Sequence, residues 1–280
     1  MTSPLTLMAV HAHPDDEASS TGGVLARYSN DGVRTVVVTC TNGEFGDGPG
    51  GVKPGEPGHD EAQTAATRLA ELDAACKILG VSAVERLGYH DSGMAEWDYK
   101  DRPDAFWNVP VDVGAARIAA LFETYKPDVV ITYDDFGGYN HPDHIQAHRI
   151  TVAAVEQTQS PAKLYFTARR PGDFERIRAA MIELGVDPPP SRPPDPERLR
   201  RMNENAARIT TTVDIRGVLD QKRAALMAHA SQIAESWFSR LPQELFVDVF
   251  GHESFIRARD TTDSPLPEED LFAGLRPRAA

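Results

Sequence analysis

The sequence predicts an α/β fold in which a mainly parallel sheet is flanked by helices, with a smaller lobe at the C-terminal end. Two observations carry that prediction. Short apolar or β-branched runs recur along the chain, each ending in loop residues. Between them lie helix-length segments with apolar residues at helical spacing, the alternation that builds β-α units.

Taken in order, "LTLMAV" (5–10) is the first strand, followed by the loop "HAHPDDE" (11–17) and a helix over "GGVLARYSND" (22–31). "RTVVVTC" (34–40) is the second strand, and the glycine and proline of "NGEFGDGPGGVKPGEPG" (42–58) predict a long mobile loop after it. The clearest helix is "EAQTAATRLAELDAACKILG" (61–80), stopped at Gly80, and "AVERLG" (83–88) is the third strand. "YHDSGMAEWDYKDRPDAFWN" (89–108) is too long and aromatic for a bare connection. A helix over "GAARIAALFETY", a strand over "PDVVITY", a helix over "HIQAHRITVAAVEQ" and a strand over "KLYFTA" complete a core assigned to residues 1–186. The proline-rich "DPPPSRPPDPE" can continue neither a helix nor a central strand, so residues 187–280 are assigned to a link and a C-terminal lobe completing the same domain. In that lobe "ITTTVDI" reads as a strand and "VLDQKRAALMAHASQI" as a helix.

Composition limits the function. Forty-two acidic against 29 basic residues give a net charge of −13, which disfavours nucleic acid and anionic lipid as partners. Two cysteines, Cys40 and Cys76, cannot build a disulfide framework or a multi-thiolate metal site. No segment approaches the roughly 20 apolar residues of a membrane span, and "MTSPLTLMAV" lacks a basic region followed by a long apolar stretch. The expectation is a soluble cytoplasmic protein with a small-molecule partner.

The chemistry concentrates after two strands. In open α/β sheets ligands bind beyond the carboxyl ends of the strands, where a dinucleotide site needs a glycine-rich turn; here "HPDDE" stands instead, a loop built for a cation. The second cluster, "DDFGGYNHPDHIQAH" (134–148), repeats the tripeptide His-Pro-Asp of residues 13–15 at residues 141–143. Each cluster alone could be a helix start, since Asp and Asn are common N-caps and proline favours the first turn. Together they predict one shared metal site. Imidazole plus carboxylate without thiolate suits zinc, with iron, cobalt, nickel or manganese able to use the same ligands. His13 and Asp16 can converge on one ion, and one or more of His141, His144 and His148 complete the set; spacing does not choose among them.

"AVHAHPDDE" with "GGYNHPDHIQAH" resembles the paired signatures of the LmbE-like (PIG-L) zinc N-deacetylase family, which removes acyl groups from amino sugars. The likeness extends through "VVVTCTNGE", "HDSGM" and "KRAALMAHASQ", and is greatest with the mycothiol-precursor deacetylases and mycothiol S-conjugate amidases. It implies a Rossmann-like fold and a Zn²⁺ held by His13, Asp16 and His144. It further implies Asp15 as general base, His141 as the group that stabilises the oxyanion and protonates the amine, and Asp143 as the carboxylate orienting His141. Tyr139 would add a hydroxyl to the oxyanion site, and Glu44, Arg68 and Asp91 would hold substrate hydroxyls. Glu17 is read as a supporting or helix-start carboxylate, and His148 as a packing residue or a support for the metal ligands; His229 receives no role. "RAALMAHASQ" and the tail "EEDLFAGL" resemble the amidase branch, whereas Ser20 stands where that branch has a lysine and so resembles the precursor deacetylase. The loop 42–58 and the aromatic segment around Trp97 to Trp107 both follow strand ends and are expected to wall a cleft wide enough for a group larger than acetyl. The activity is therefore expected to be most like the S-conjugate amidase, with the N-acetylglucosaminyl-inositol deacetylase or a natural-product N-deacetylase as the alternative. A Mg²⁺-dependent phosphotransfer domain is the rival enzyme class and a metal-binding module the non-catalytic one. The former lacks histidine ligands, and the latter needs neither Asp15 nor His141.

Overall fold

The computed structural model describes residues 4–170, 173–185, 196–233 and 237–276; residues 187–195, most of the expected proline-rich link, lie outside them. In chain order the elements are β1 (Thr6–His11), α1 (Asp16–Ser20), α2 (Gly22–Asn30), β2 (Arg34–Thr41), α3 (Glu61–Leu79), β3 (Ala83–Tyr89), α4 (Val111–Tyr125), β4 (Val129–Thr132), the distorted turn α5 (Gly137–Asn140), α6 (Pro142–Thr158) and β5 (Lys163–Ala168). They continue with α7 (Asp173–Glu183), α8 (Pro196–Ala207), β6 (Thr211–Asp214), α9 (Leu219–Ala228), α10 (Ala230–Ile233), α11 (Gln243–Phe250) and β7 (His252–Asp260).

Among the described residues the strands form one seven-stranded sheet in the order β3-β2-β1-β4-β5-β7-β6. The first five are parallel, and β7 runs antiparallel to both β5 and β6. Side chains of a strand alternate between its faces, so β1, buried throughout, feeds two cores. Leu7 and Ala9 pack with Val24, Leu72, Leu226 and Phe246 of α2, α3, α9 and α11. Met8 and Val10 pack with Ile118, Phe122 and Ile150 of α4 and α6 on the opposite face. The helices thus cover both faces, as a parallel sheet requires.

Two differences from expectation have physical causes. β7 escapes a hydrophobic reading because this inner strand carries Glu253 and Arg257, each buried or nearly so and paired across the fold, Glu253 with Lys222 at 2.5 Å and Arg257 with Glu268 at 2.9 Å. β6 and β7, from the C-terminal residues, extend the core sheet beyond β5. The segment 42–58 is tethered turns: the Gln232 side chain bonds both the N–H and the carbonyl of Asp47, at 3.1 and 2.9 Å, and His59 bonds the Gly46 carbonyl at 2.9 Å.

Candidate metal centre and active site

Strand order reverses between β1 and β4, which are adjacent and parallel. The crevice at their carboxyl ends is the switch point where such sheets bind ligands. His13 to Glu17 follow β1 directly and His141 to His144 follow β4, so topology alone brings the two His-Pro-Asp tripeptides together.

Asp16 stands between two imidazoles, its Oδ2 3.3 Å from His13 Nδ1 and 3.4 Å from His144 Nε2. Donor atoms at about 2.0–2.2 Å from a tetrahedral ion stand about 3.3–3.5 Å apart, so both separations fit a shared cation. His144 Nε2 is buried and has no hydrogen-bond partner among the described residues, a nitrogen whose lone pair a cation would satisfy. His141 can join the set, since one ligand atom each from His13, His141 and His144 falls within 4.8 Å of the others. A second overlapping group, His13 with Asp91 and Asp143, meets the same distance. It is better explained as support, because the Asp143 carboxylate takes a hydrogen bond from His13 Nε2 at 3.1 Å and leaves Nδ1 facing Asp16. A ligating histidine held through its other nitrogen by a carboxylate is the usual arrangement around a metal.

That contact corrects the expected pairing of Asp143 with His141. The Asp143 carboxylate lies on His13 and takes the Ser92 N–H at 2.9 Å, while only the backbone N–H of Asp143 reaches His141, at Nδ1 and 3.2 Å. His141 is therefore also the N-cap of α6, with Pro142 in the first turn, so the structural and chemical readings of "HPD" coexist. Burial and the neighbouring His13 and His144 hold the His141 imidazole well below its ordinary pKa.

Asp15 precedes α1 at φ 120°, ψ −24°, a backbone that a side-chain-bearing residue keeps only when its surroundings impose it. Its carboxylate accepts from Arg68 Nη2 at 3.0 Å and its N–H donates to Glu17 Oε2 at 3.0 Å. Burial lifts the Asp15 carboxyl above its ordinary pKa, with the Arg68 guanidinium working against it. Arg68 itself is buried beneath the loops, donating also to the carbonyls of Pro14 at 2.7 Å and Gly43 at 2.9 Å. It is thus turned onto Asp15 instead of facing an open cleft.

Glu44 and Asp91 are also buried and joined, the Asp91 N–H donating to Glu44 Oε2 at 2.9 Å, and Asp91 Oδ1 lies 3.7 Å from His13 Nε2. Tyr139 packs edge-on to His141 and His144, with ring centroids 5.8 and 5.0 Å away. Its turn requires glycine: Gly137 has φ 62°, and a Cβ there would come within 2.8 Å of His144 Cβ. Ser20 closes α1, half-buried. His148 bonds the Tyr133 carbonyl at 2.9 Å and packs on Phe166, away from the ligand cluster. Tyr133 was missed by sequence reasoning; its ring stacks on His144 at 4.1 Å while its hydroxyl takes the Ala12 N–H at 2.9 Å, and a tyrosine closing an apolar strand gives no signal of that role.

Residues 8–155 match the protein family described as PIG-L, GlcNAc-PI de-N-acetylase. The 1D-myo-inositol 2-acetamido-2-deoxy-alpha-D-glucopyranoside deacetylase of Acidothermus cellulolyticus is 41% identical, the match covering 96% of this chain and 95% of that one. The mycothiol S-conjugate amidase of Streptomyces coelicolor is 36% identical over the full length of both. Among solved structures, a 4-carboxy-2-hydroxymuconate hydratase from Pseudomonas putida superposes with a TM-score of 0.61 at 19% identity, covering 94% of this chain and 99% of that one. The last likeness shows the fold alone, and a hydratase on it means that the reaction has to be argued from the site.

Proposed function

The chain belongs to the PIG-L (GlcNAc-PI de-N-acetylase) family, and on that premise we propose that it is a zinc-dependent hydrolase that cleaves an N-acyl amide on an amino-sugar substrate in the cytoplasm. The observation that carries this reading is the placement of Asp16 between His13 Nδ1 and His144 Nε2, with Asp15 next to it in the chain. His13, Asp16 and His144 would hold the ion. When bound, it supplies Lewis acidity, polarising the amide carbonyl and letting a water lose its proton near neutral pH.

The remaining steps belong to side chains. Asp15, with its carboxyl pushed up by burial, takes the proton of the attacking water. His141, neutral and with Nδ1 occupied by the Asp143 N–H, directs its Nε2–H towards the oxygen that gains charge, and Tyr139 supplies a second donor there. Asp15 then returns its proton to the departing amine. This reverses the expected role of His141 as an imidazolium acid, because the charge that would keep it protonated lies on His13. Glu44 and Asp91 are the acceptors for sugar or inositol hydroxyls, and Arg68 serves the base.

Zinc suits the two-imidazole, one-carboxylate donor set, and Fe²⁺ or another divalent ion fits the same atoms. The substrate class follows the relatives' names, an N-acetylglucosaminyl-inositol or a thiol conjugate built on it. The test is acetate release from N-acetylglucosaminyl-inositol by protein of measured metal content, before and after chelation. Turnover that survives complete removal of the metal sinks the proposal.

A further inference from the structure

His229 is fully buried just past the end of α9, and its Nε2 donates to Glu17 Oε1 at 2.6 Å across 212 positions of sequence. The other oxygen of the same carboxylate accepts the Asp15 N–H at 3.0 Å. One buried carboxylate therefore joins an imidazole from the far end of the chain to the residue with the most unusual backbone near the site, Asp15 at φ 120°. His229 Nδ1 has no hydrogen-bond partner among the described residues, so the imidazole is kept in the interior for the single bond it makes to Glu17.

The neighbours of His229 reinforce this. Ser231 bonds Glu71 of α3 through its N–H at 2.7 Å and its hydroxyl at 2.6 Å, and Gln232 bonds Asp47. Lys222 donates to the Ser19 carbonyl of α1 at 3.1 Å. Lys222, Ser231 and Gln232 of "KRAALMAHASQ" thus close on α1, α3 and the glycine-rich turns, while Arg223 bonds Gln243 and the Leu241 carbonyl instead. Besides Glu17, the charged groups felt by His229 are Asp15 and Arg68.

We propose that Glu17 and His229 are positioning residues for Asp15: His229 fixes the Glu17 carboxylate, and Glu17 holds the Asp15 peptide in the strained conformation that aims its carboxylate at the reacting water. The proposal rests on Asp15 as general base, and neither residue touches substrate. A buttress that only stabilised the fold would change melting temperature without a selective effect on Asp15.

The test uses His229→Leu, which removes the donor, and His229→Gln, whose amide N–H can replace it. Amide hydrogen exchange at Asp15, metal content, kcat and KM for acetate release from N-acetylglucosaminyl-inositol are measured on each. His229→Leu is expected to keep its metal, to speed Asp15 exchange at least tenfold, and to lower kcat ten- to a hundredfold with KM within threefold. His229→Gln is expected to recover most of both losses. Unchanged Asp15 exchange in His229→Leu, or a His229→Gln variant no better than Leu, overturns the proposal. Where His229→Leu does not fold, His229→Asn replaces it, its amide being too short to reach Glu17; equal Asp15 exchange in Asn and Gln variants overturns the proposal in the same way. Wild-type protein that holds metal but releases no acetate sinks the deacetylase reading, while the exchange measurement still decides the buttress.

Discussion

Asp16 Oδ2 lies 3.3 Å from His13 and 3.4 Å from His144, so the carboxylate supplied by the first His-Pro-Asp loop is the atom that links both clusters. Removing it leaves two imidazoles without the charge that neutralises a cation. Asp16→Ala is expected to weaken metal binding by on the order of a hundredfold or more, in line with the large share of binding energy each ligand carries. His148→Gln is expected to keep full occupancy, because His148 bonds the Tyr133 carbonyl instead. Elemental analysis after dialysis reads both. Full metal content in Asp16→Ala would move the centre to the His13, His141, His144 set.

How much of this was legible in the sequence differs by kind of signal. The parallel strands were readable because an inner parallel strand is a continuous apolar run, as "TLMAVH" and "VVIT" are. β7 was not, since an inner strand with paired charges reads as surface. The clusters were readable because their residue types recur after two strands. The partner of Asp143 was not, because a carboxylate two residues from His141 and 130 from His13 gives no hint that it bonds the distant one. Glu17 and His229 show the same limit: their bond depends on a helix end folding back over α1, which no local pattern records.

Arg68 makes a second prediction. Its guanidinium serves the Asp15 carboxylate and two backbone carbonyls at once, a planar fork that an ammonium cannot imitate. Arg68→Met should leave Asp15 buried without its cation, costing roughly 3–5 kcal/mol of stability as for a broken buried pair. Arg68→Lys should fold better yet still lose at least tenfold in kcat. A large rise in KM with unchanged kcat for Arg68→Lys would return this residue to substrate binding.

The turn carrying Tyr139 is tied down from α8. Asn205 donates to the Asp134 carboxylate, whose other oxygen accepts the Gly138 N–H at 2.7 Å. Asn205→Ala frees one side of that carboxylate, and losing a buried hydrogen bond costs about 1–3 kcal/mol. Metal content should not change, whereas kcat should fall several-fold as the Tyr139 hydroxyl loses its place. Tyr139→Phe in the Asn205→Ala background should then cost less than in wild type, a non-additivity that a double-mutant cycle measures.

The C-terminal segment supplies a pH prediction. Glu268 bonds Lys163 at 2.5 Å, Tyr165 at 2.7 Å and Arg257 at 2.9 Å. Although burial opposes its charge, the hydrogen bonds from Lys163, Ser264 and Tyr165 and the Lys163 charge hold the Glu268 carboxyl below its ordinary value. A carboxyl with a lowered folded-state pKa stabilises fully above the unfolded value of about 4.3, and the contribution is lost as pH falls through the folded value. Melting temperature should therefore drop steeply below about pH 4, and Glu268→Gln should flatten that acid limb while lowering stability at neutral pH. An acid limb of the same slope in Glu268→Gln would place the responsible carboxylates elsewhere.

The last prediction concerns the acyl group. The expectation of an amidase rests on the loop 42–58 and the aromatic segment around Trp97 to Trp107 walling a cleft broad enough for a group larger than acetyl. In the structure the walls are spent on each other: Phe45 stacks on Tyr99 with centroids 4.0 Å apart and planes 10° from parallel, and Trp97 meets Tyr99 edge-on at 5.8 Å. Arg102 lies over the Phe45 ring at 5.6 Å, and Phe45 is only 6% exposed. Burying a large apolar acyl substituent yields about 1.5–3 kcal/mol only where apolar surface is open to receive it, and these rings offer little. Ser20, short and half-buried at the end of α1, adds no long side chain to meet such a group. The N-acetyl precursor is therefore expected to have a kcat/KM at least tenfold above that of a thiol conjugate, and Tyr99→Ala, which opens the Phe45 face, should narrow the gap. Should the conjugate prove the better substrate of the wild-type enzyme, the walls must part on binding, and the chain would be an amidase with the same metal centre.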